Sequence, residues 1–172
     1  MGIFTSESFN SLDDLFVHEL MDLYDAELQL TDALPKMAER AKNPSLRQAF
    51  QSHLQQTEKH VQRLESVFEH RGLEPERETC SAMAGLIKEG GVVLDADGDA
   101  DVIDAALIAA AQRVEHYEIA AYGSARCFAH HLNDEYAAEL LGQTLDEEKS
   151  TDQQLTKIAE SSVNPSSTTS RR

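Results

Sequence analysis

The sequence has little of what marks a secreted, disulfide-stabilised protein. Its two cysteines, Cys80 and Cys127, are too few for a disulfide framework, so we expect a reducing compartment such as the cytoplasm. Tryptophan is absent, aromatic residues make up 6% of the chain, and there are four prolines in 172 residues. Ala, Leu, Glu, Gln and Asp predominate instead. This composition favours a single all-α domain.

Positive charge is also scarce, since 15 Lys and Arg face 31 Asp and Glu and the net charge is -16. Such a field repels phosphate backbones and anionic lipids, so no nucleic-acid partner is expected. Apolar runs such as residues 105–111 are far shorter than the roughly 20 residues that cross a bilayer. The start of the chain shows neither a basic nor an apolar signal region. We therefore expect a soluble, cytoplasmic protein.

Periodic apolar residues predict four long helices, at residues 11–41, 44–72, 101–131 and 133–161. A shorter helix at 79–89 is expected in the long link between the second and third of them. Residues 164–172 are predicted to be a disordered tail, which leaves 1–163 as the domain. Two short turns and one long crossover predict a ferritin-like antiparallel four-helix bundle.

Local signals place several helix ends. Ser11 and Asp14 have the spacing of a capping box at the start of the first helix. Pro35 lies inside that helix and is expected to kink it or separate its last turns, because it leaves a carbonyl without its amide donor. Gly90 and Gly91 follow the short helix and are expected to lie beyond its end.

Charged and imidazole side chains interrupt the apolar stripe of every long helix. The interrupting residues are Glu27, His53, Glu115, Glu118, Glu148 and Asp152. On the second helix the stripe also passes through Thr57 and then reaches either His60 or Val61. Charged groups are rarely buried unless they are paired or bind a metal, so these positions are candidates for a site inside the bundle.

Any one of these residues, taken alone, is more often an edge or hydrogen-bonded core residue than a ligand. Glu27, His53, Glu115 and Glu148 lie about 10 to 15 residues into their helices, so a rise of roughly 1.5 Å per residue places them at a similar height. Carboxylates gathered in a dry core would repel one another, and two divalent cations would remove that conflict. Carboxylates with one or two imidazoles favour iron or manganese over zinc.

The chain resembles the YciE/YciF-like stress proteins, a family of the ferritin-like superfamily. The matching runs are residues 23–30, 80–87, 104–112, 114–120 and 147–152, and the most specific is Glu-His-Tyr-Glu-Ile-Ala at 115–120. The resemblance covers about residues 10–163. It implies a bundle that is commonly dimeric, with a di-iron or di-manganese centre related in layout to those of rubrerythrin and manganese catalase.

Carried over by residue, the resemblance implies metal ligands at Glu27, His53, Glu115, Glu118, Glu148 and Asp152. It leaves open whether Glu147 or Glu148 is the ligand on the fourth helix. This chain also departs from the family on the second helix, where residues 53–57 are His-Leu-Gln-Gln-Thr and the family commonly has His-Leu-Glu-Glu-Thr. If the second of those glutamates bridges the metals, Gln56 weakens one metal position.

Two functions of different classes follow. The first is redox chemistry of two bound metals with a small oxidant such as oxygen or peroxide, or handling of iron or manganese under stress. The second is a non-catalytic structural or interaction bundle with a degenerate metal site. The sequence does not decide whether the protein is an enzyme, and the expected partner is a second copy in a homodimer.

Overall fold

The computed structural model describes residues 8–169, which form helices and no strands. In chain order the elements are α1 (Leu12–Arg40), α2 (Pro44–His70), α3 (Ser81–Leu94), α4 (Ala100–His131), α5 (Glu135–Ile158), a π-helical turn (Ala159–Val163) and α6 (Asn164–Thr169). The predicted all-α class and its four long helices are confirmed. No helix in the described part of the chain is long and apolar enough to cross a membrane.

The four long helices pack as two hairpins, α1 with α2 and α4 with α5, and α2–α5 and α1–α4 contacts close the bundle. Asp104, near the start of α4, accepts hydrogen bonds of 2.9 and 2.6 Å from the backbone amides of Lys42 and Asn43, just beyond the end of α1. Arg71, just beyond α2, pairs with Asp134, just before α5. Neighbouring long helices are therefore antiparallel, as predicted.

The start of α1 carries the predicted capping box, because Ser11 Oγ accepts from the Asp14 amide and the Asp14 carboxylate accepts from the Ser11 amide. Pro35 does not separate the last turns, since α1 continues through it to Arg40. Packing of Leu34 and Ala38 on either side of Pro35 into the core holds the helix together.

The crossover carries α3, which packs on α1 and α4. This helix extends beyond the predicted end at residue 89 and passes through Gly90 and Gly91 to Leu94. Gly90 lies against Ala110 of α4, where an added Cβ would stand 3.9 Å from the alanine Cβ. Arg40 donates to the carbonyl of Leu94 at 3.2 Å. These contacts with α4 and with the end of α1 outweigh the poor helix propensity of two glycines.

The C-terminal segment differs from the predicted disordered tail. A π-helical turn and α6 continue from α5, and Val163 is buried beside α4. Asn43 anchors the turn by donating from Nδ2 to Ser162 Oγ at 3.2 Å. The helical chain thus continues past residue 163, the predicted end of the domain, because a buried side chain and an interhelical hydrogen bond hold it. Residues 170–172 of the predicted tail lie outside the described residues.

The apolar core is divided into two clusters. The Phe50 cluster includes Leu30, Leu34, Phe50, Leu107 and Leu155, and the Phe68 cluster includes Phe16, Leu20, Leu64, Phe68 and Leu141. Each cluster takes residues from α1, α2, α4 and α5. Between them, all four helices place polar side chains in the interior, and we call this level the polar layer.

Candidate metal centre

The polar layer contains seven buried residues, none more than 3% exposed: Glu27, His53, Thr57, His60, Glu115, Glu118 and Glu148. Helical periodicity places them inside, because each continues the apolar stripe of its own helix. Five of the six predicted ligands are among them, and all five lie on the expected helices. Asp152 is the one that is not.

The ligand atoms form two groups with metal-binding spacing. The first group is His53, Glu115, Glu118 and Glu148, and the second is Glu27, His60 and Glu148. Within each group one potential ligand atom per residue lies within 4.8 Å of all the others. Glu148 belongs to both groups, so its carboxylate can serve two adjacent metal positions.

The two histidines contact different carboxylates. His60 Nδ1 lies 2.9 Å from Glu148 Oε1 and 3.2 Å from Glu27 Oε1. His53 Nε2 lies 3.2 Å from Glu115 Oε1, within ion-pair distance, but the ring is not aligned for a hydrogen bond. Each imidazole therefore faces the carboxylates of one metal position.

Most polar atoms of the layer have no hydrogen-bond partner among the described residues. The unpartnered atoms are Glu27 Oε2, both ring nitrogens of His53, Thr57 Oγ1, His60 Nδ1, Glu115 Oε2, and both carboxylate oxygens of Glu118 and of Glu148. A buried polar group without a partner costs about 1–3 kcal/mol. Oxygen and imidazole donors that converge without protein partners could hold a metal ion in each group.

One side of the layer reaches the surface through Glu147. Its Oε2 lies 2.8 Å from His60 Nε2, and Arg63 donates to both of its oxygens at 2.8 Å. The two hydrogen bonds from Arg63 and the contact with His60 hold the pKa of Glu147 at about 2, against a smaller raising effect of burial. Glu148 faces the interior while Glu147 orients His60 from outside, an arrangement typical of metal-binding histidines.

Burial changes the protonation of the carboxyl groups. It raises the pKa of Glu118 well above its usual value, and the nearby Glu148 and Glu27 raise it further. Burial also raises the pKa of Glu115, to about 7, although His53 acts in the opposite direction. Burial alone would raise the pKa of Glu148, but the close contact with His60 Nδ1 and the charges of both histidines outweigh it, and the pKa falls.

The pKa values of the two histidines shift in the direction opposite to the one that burial alone would cause. Desolvation lowers the pKa of His53, but Glu115 and other carboxylates raise it to about 9. For His60, Glu27 and Glu148 outweigh desolvation and the pKa rises to about 10. Protons thus neutralise the metal-free layer, and a bound cation would have to displace them.

Asp152 was predicted as a ligand but lies outside both groups. It is half-buried, and its Oδ1 accepts a hydrogen bond of 3.0 Å from Gln112 Nε2. Four residues along an α-helix turn the side chain by about 40°, which places Asp152 at the α4–α5 seam although Glu148 points inward.

His60 is the layer residue that the sequence left undecided. It is fully buried while Val61 is half-buried. His60 lies seven residues, or two turns, after His53, and this spacing is the signal that would have favoured His60 over Val61. Gln56 is half-buried, and the neighbouring Thr57 occupies the inner face in its place.

Comparison with known proteins supports the same architecture. The chain matches the DUF892 family, described as a domain of unknown function, over residues 11–168. Protein YciF of Escherichia coli (strain K12) is 46% identical over 158 residues, which is 91% of this chain and 95% of YciF.

Two solved structures have the same fold. The crystal structure of the E. coli stress protein YciF matches with a TM-score of 0.87 at 46% identity, over 91% of this chain and 99% of that one. YcfI from Rhodopseudomonas palustris, a candidate structural protein, matches with a TM-score of 0.87 at 42% identity and the same coverage. The chain therefore belongs to the DUF892 family, and the ferritin-like bundle is confirmed.

Proposed function

We propose that this member of the DUF892 family binds two divalent metal ions, iron or manganese, in its polar layer and uses them in redox chemistry on a small oxidant under stress. One observation carries the proposal. Two convergent groups of unpartnered imidazole and carboxylate atoms share Glu148 in the centre of a four-helix bundle. A layer that served only to stabilise the fold would be better filled with apolar side chains.

Each layer residue has a definite part in this proposal. His53, Glu115 and Glu118 would hold one ion, Glu27 and His60 the other, and Glu148 both. When bound, two adjacent ions of variable valence would supply the electrons that reduce oxygen or peroxide. Tyr122 donates a hydrogen bond of 2.5 Å to Glu27 Oε1 and so fixes the rotamer of that carboxylate. The Glu147–Arg63 pair holds the His60 ring with Nδ1 turned inward.

The layer is also closed to bulk solvent. The Phe50 and Phe68 clusters close it on either side along the bundle, and its ligand side chains are at most 3% exposed. Only a small molecule could reach such a centre, which agrees with an oxidant of the size of oxygen or peroxide. The stress role is taken from the relative YciF, and the cytoplasmic location and the homodimer stay predictions.

Metal analysis tests the proposal. The protein is stripped with a chelator, reconstituted anaerobically with Fe²⁺ or separately with Mn²⁺, and desalted. The metal content per chain is then measured by inductively coupled plasma mass spectrometry. We expect up to two ions per chain, one for each ligand group. Loaded protein should also consume peroxide or oxidise Fe²⁺ faster than stripped protein. Less than about a tenth of an equivalent of either metal would overturn the proposal.

A structural bundle is the second candidate, and one observation favours it. Protonated His53 and His60 stand against the layer carboxylates, so the layer can approach neutrality without a metal. YcfI, described as a candidate structural protein, has the same fold. In that case stripped and reconstituted protein should melt at the same temperature, because no ion would bind the folded state preferentially.

A further inference from the structure

Thr57 occupies a distinctive place in the polar layer. It lies four residues after His53 and three before His60, on the same face of α2, and it is 0% exposed. Helices α1, α4 and α5 each place at least one carboxylate in the layer, whereas α2 contributes two imidazoles and this hydroxyl. Thr57 therefore stands between the histidines of the two metal positions.

The Thr57 hydroxyl differs from the other buried threonine hydroxyls in the described chain. Thr144 Oγ1 accepts from Arg63 at 3.2 Å, and Thr151 Oγ1 donates to the carbonyl of Glu147 at 3.1 Å. Thr57 Oγ1 has no partner among the described residues and does not return its proton to its own helix. A buried donor of this kind needs an acceptor inside the layer.

The number of protein ligands leaves coordination positions for that acceptor. One group offers four protein ligands and the other three, with one carboxylate shared. Reactive metal centres keep coordination positions open for an exogenous ligand, whereas structural sites are filled by the protein. Between the two α2 histidines, Thr57 places a neutral hydroxyl where a carboxylate could have filled a coordination position.

We infer that the Thr57 hydroxyl donates a hydrogen bond to a small oxygen ligand, such as water, hydroxide or peroxide, held between the two metal positions. This inference rests on the proposed function and specifies its substrate class. The ligand must be small because the surrounding layer is closed, and it must present a hydrogen-bond acceptor toward α2. Thr57 thus selects among molecules that the metals alone would not distinguish.

Azide binding to the iron-loaded, oxidised protein tests the inference, since azide is a small anion whose metal complexes absorb visible light. The variants are Thr57→Val, which keeps the shape, Thr57→Ala, and Thr57→Ser, which keeps the hydroxyl. Thr151→Val is the matched control, because the Thr151 hydroxyl bonds to its own helix. Metal content per chain is measured in every sample.

We expect wild-type metal content in all variants and an azide dissociation constant raised about tenfold in Thr57→Val and Thr57→Ala, as for a lost hydrogen bond to a charged group. Thr57→Ser and Thr151→Val should stay within about twofold of wild type. If Thr57→Val does not fold, the contrast between Ala and Ser decides.

Three results would overturn the inference while leaving the metal centre in place. They are azide affinity that is unchanged in Thr57→Val and Thr57→Ala, an equal loss in Thr57→Ser, and no azide binding to fully loaded wild type. A wild-type protein that takes up no metal would instead overturn the proposed function, and the inference with it. Metal content separates these two failures.

Discussion

The polar layer and the two apolar clusters are built from the same four helices but have opposite effects on stability. In the clusters, buried side chains such as Phe50 and Phe68 stabilise the fold by roughly 25 cal/mol for each Å² of apolar surface removed from water. In the layer, Glu118 is equally buried, and neither of its oxygens has a partner among the described residues. The layer is thus the part of the core that a purely structural bundle would not need.

The largest effect is expected in the clusters. Phe50→Ala should lower the free energy of unfolding by about 3–5 kcal/mol, because it removes a large buried side chain and leaves a cavity. Urea denaturation of the metal-free protein measures this loss. Exposed Val92 on α3 provides a control, since Val92→Ala should change stability little. A loss below about 1 kcal/mol in Phe50→Ala would mean that the clusters do not carry the fold.

The second prediction concerns metal affinity. Glu148→Ala should weaken binding at both metal positions by at least about 100-fold, or about 2.7 kcal/mol each, because this carboxylate belongs to both groups. Asp152→Ala is the control. Because Asp152 lies outside both groups, this variant should retain both ions. Isothermal titration with Mn²⁺ measures the affinities. If only Asp152→Ala lost metal, the assignment of the α5 ligand would be reversed.

The third prediction is that metal-free protein loses stability as pH rises. The pKa of Glu115 is raised from 4.5 to about 7 and that of His53 from 6.5 to about 9, so the folded state holds these protons more tightly than the unfolded chain. The Glu115 contribution is lost between pH 4.5 and 7 and the His53 contribution between pH 6.5 and 9. The His53 part is on the order of 3 kcal/mol.

Denaturation of the metal-free protein at several pH values between 5 and 9 measures this loss. Metal-loaded protein is the comparison, because cations replace the protons and should remove the decline. Stability of the metal-free protein that is constant or increases over this range would contradict the assigned protonation of the layer.

The fourth prediction concerns a substitution that makes the polar layer apolar, like the two clusters. Glu118→Met should stabilise metal-free protein by about 1–2 kcal/mol, because an apolar side chain of similar length replaces an unpartnered carboxyl group. The same change should reduce metal binding at the His53 position. Glu58→Met, on the exposed face of α2, is the control and should have little effect. A destabilised Glu118→Met would show that Glu118 is a structural partner of the core.

The smallest effect is expected for Gln56→Glu. The family resemblance suggested that a carboxylate here would strengthen one metal position, but Gln56 is half-buried and Thr57 takes the inner face. We expect metal affinity to change by less than about twofold, or about 0.4 kcal/mol. Competition titration against a chelator measures the change. A tenfold gain would show that the side chain of residue 56 reaches the centre.

Periodicity alone was sufficient to predict most of the fold and much of the candidate site. The apolar stripes predicted four helices within a few residues of their ends, and their interruptions placed Glu27, His53, Glu115, Glu118 and Glu148 inside. Such predictions succeed because the direction of a side chain on a helix follows from its position in the sequence. Whether those five residues bind metal stays a prediction.

Other features depended on contacts between distant parts of the chain. Sequence signals ended α3 before Gly90 and Gly91, but packing against Ala110 and the hydrogen bond from Arg40 extend it to Leu94. The C-terminal segment after residue 163 is helical because a buried Val163 anchors the turn before it. A glycine costs about 1 kcal/mol relative to alanine in a helix and most other residues cost less, so a few tertiary contacts override local propensity.

By itself the sequence determined the helical class, the antiparallel bundle and the level at which polar side chains enter the core. Only the tertiary structure decided between His60 and Val61, turned Asp152 to the α4–α5 seam, and placed Glu147 on the outer side of the His60 ring. The physical reason is that successive residues are turned by about 100° around the helix, so periodicity assigns a residue to a face but does not separate neighbouring positions at the edge of that face. Which residue at the edge of that face is buried depends on the approach of the neighbouring helices.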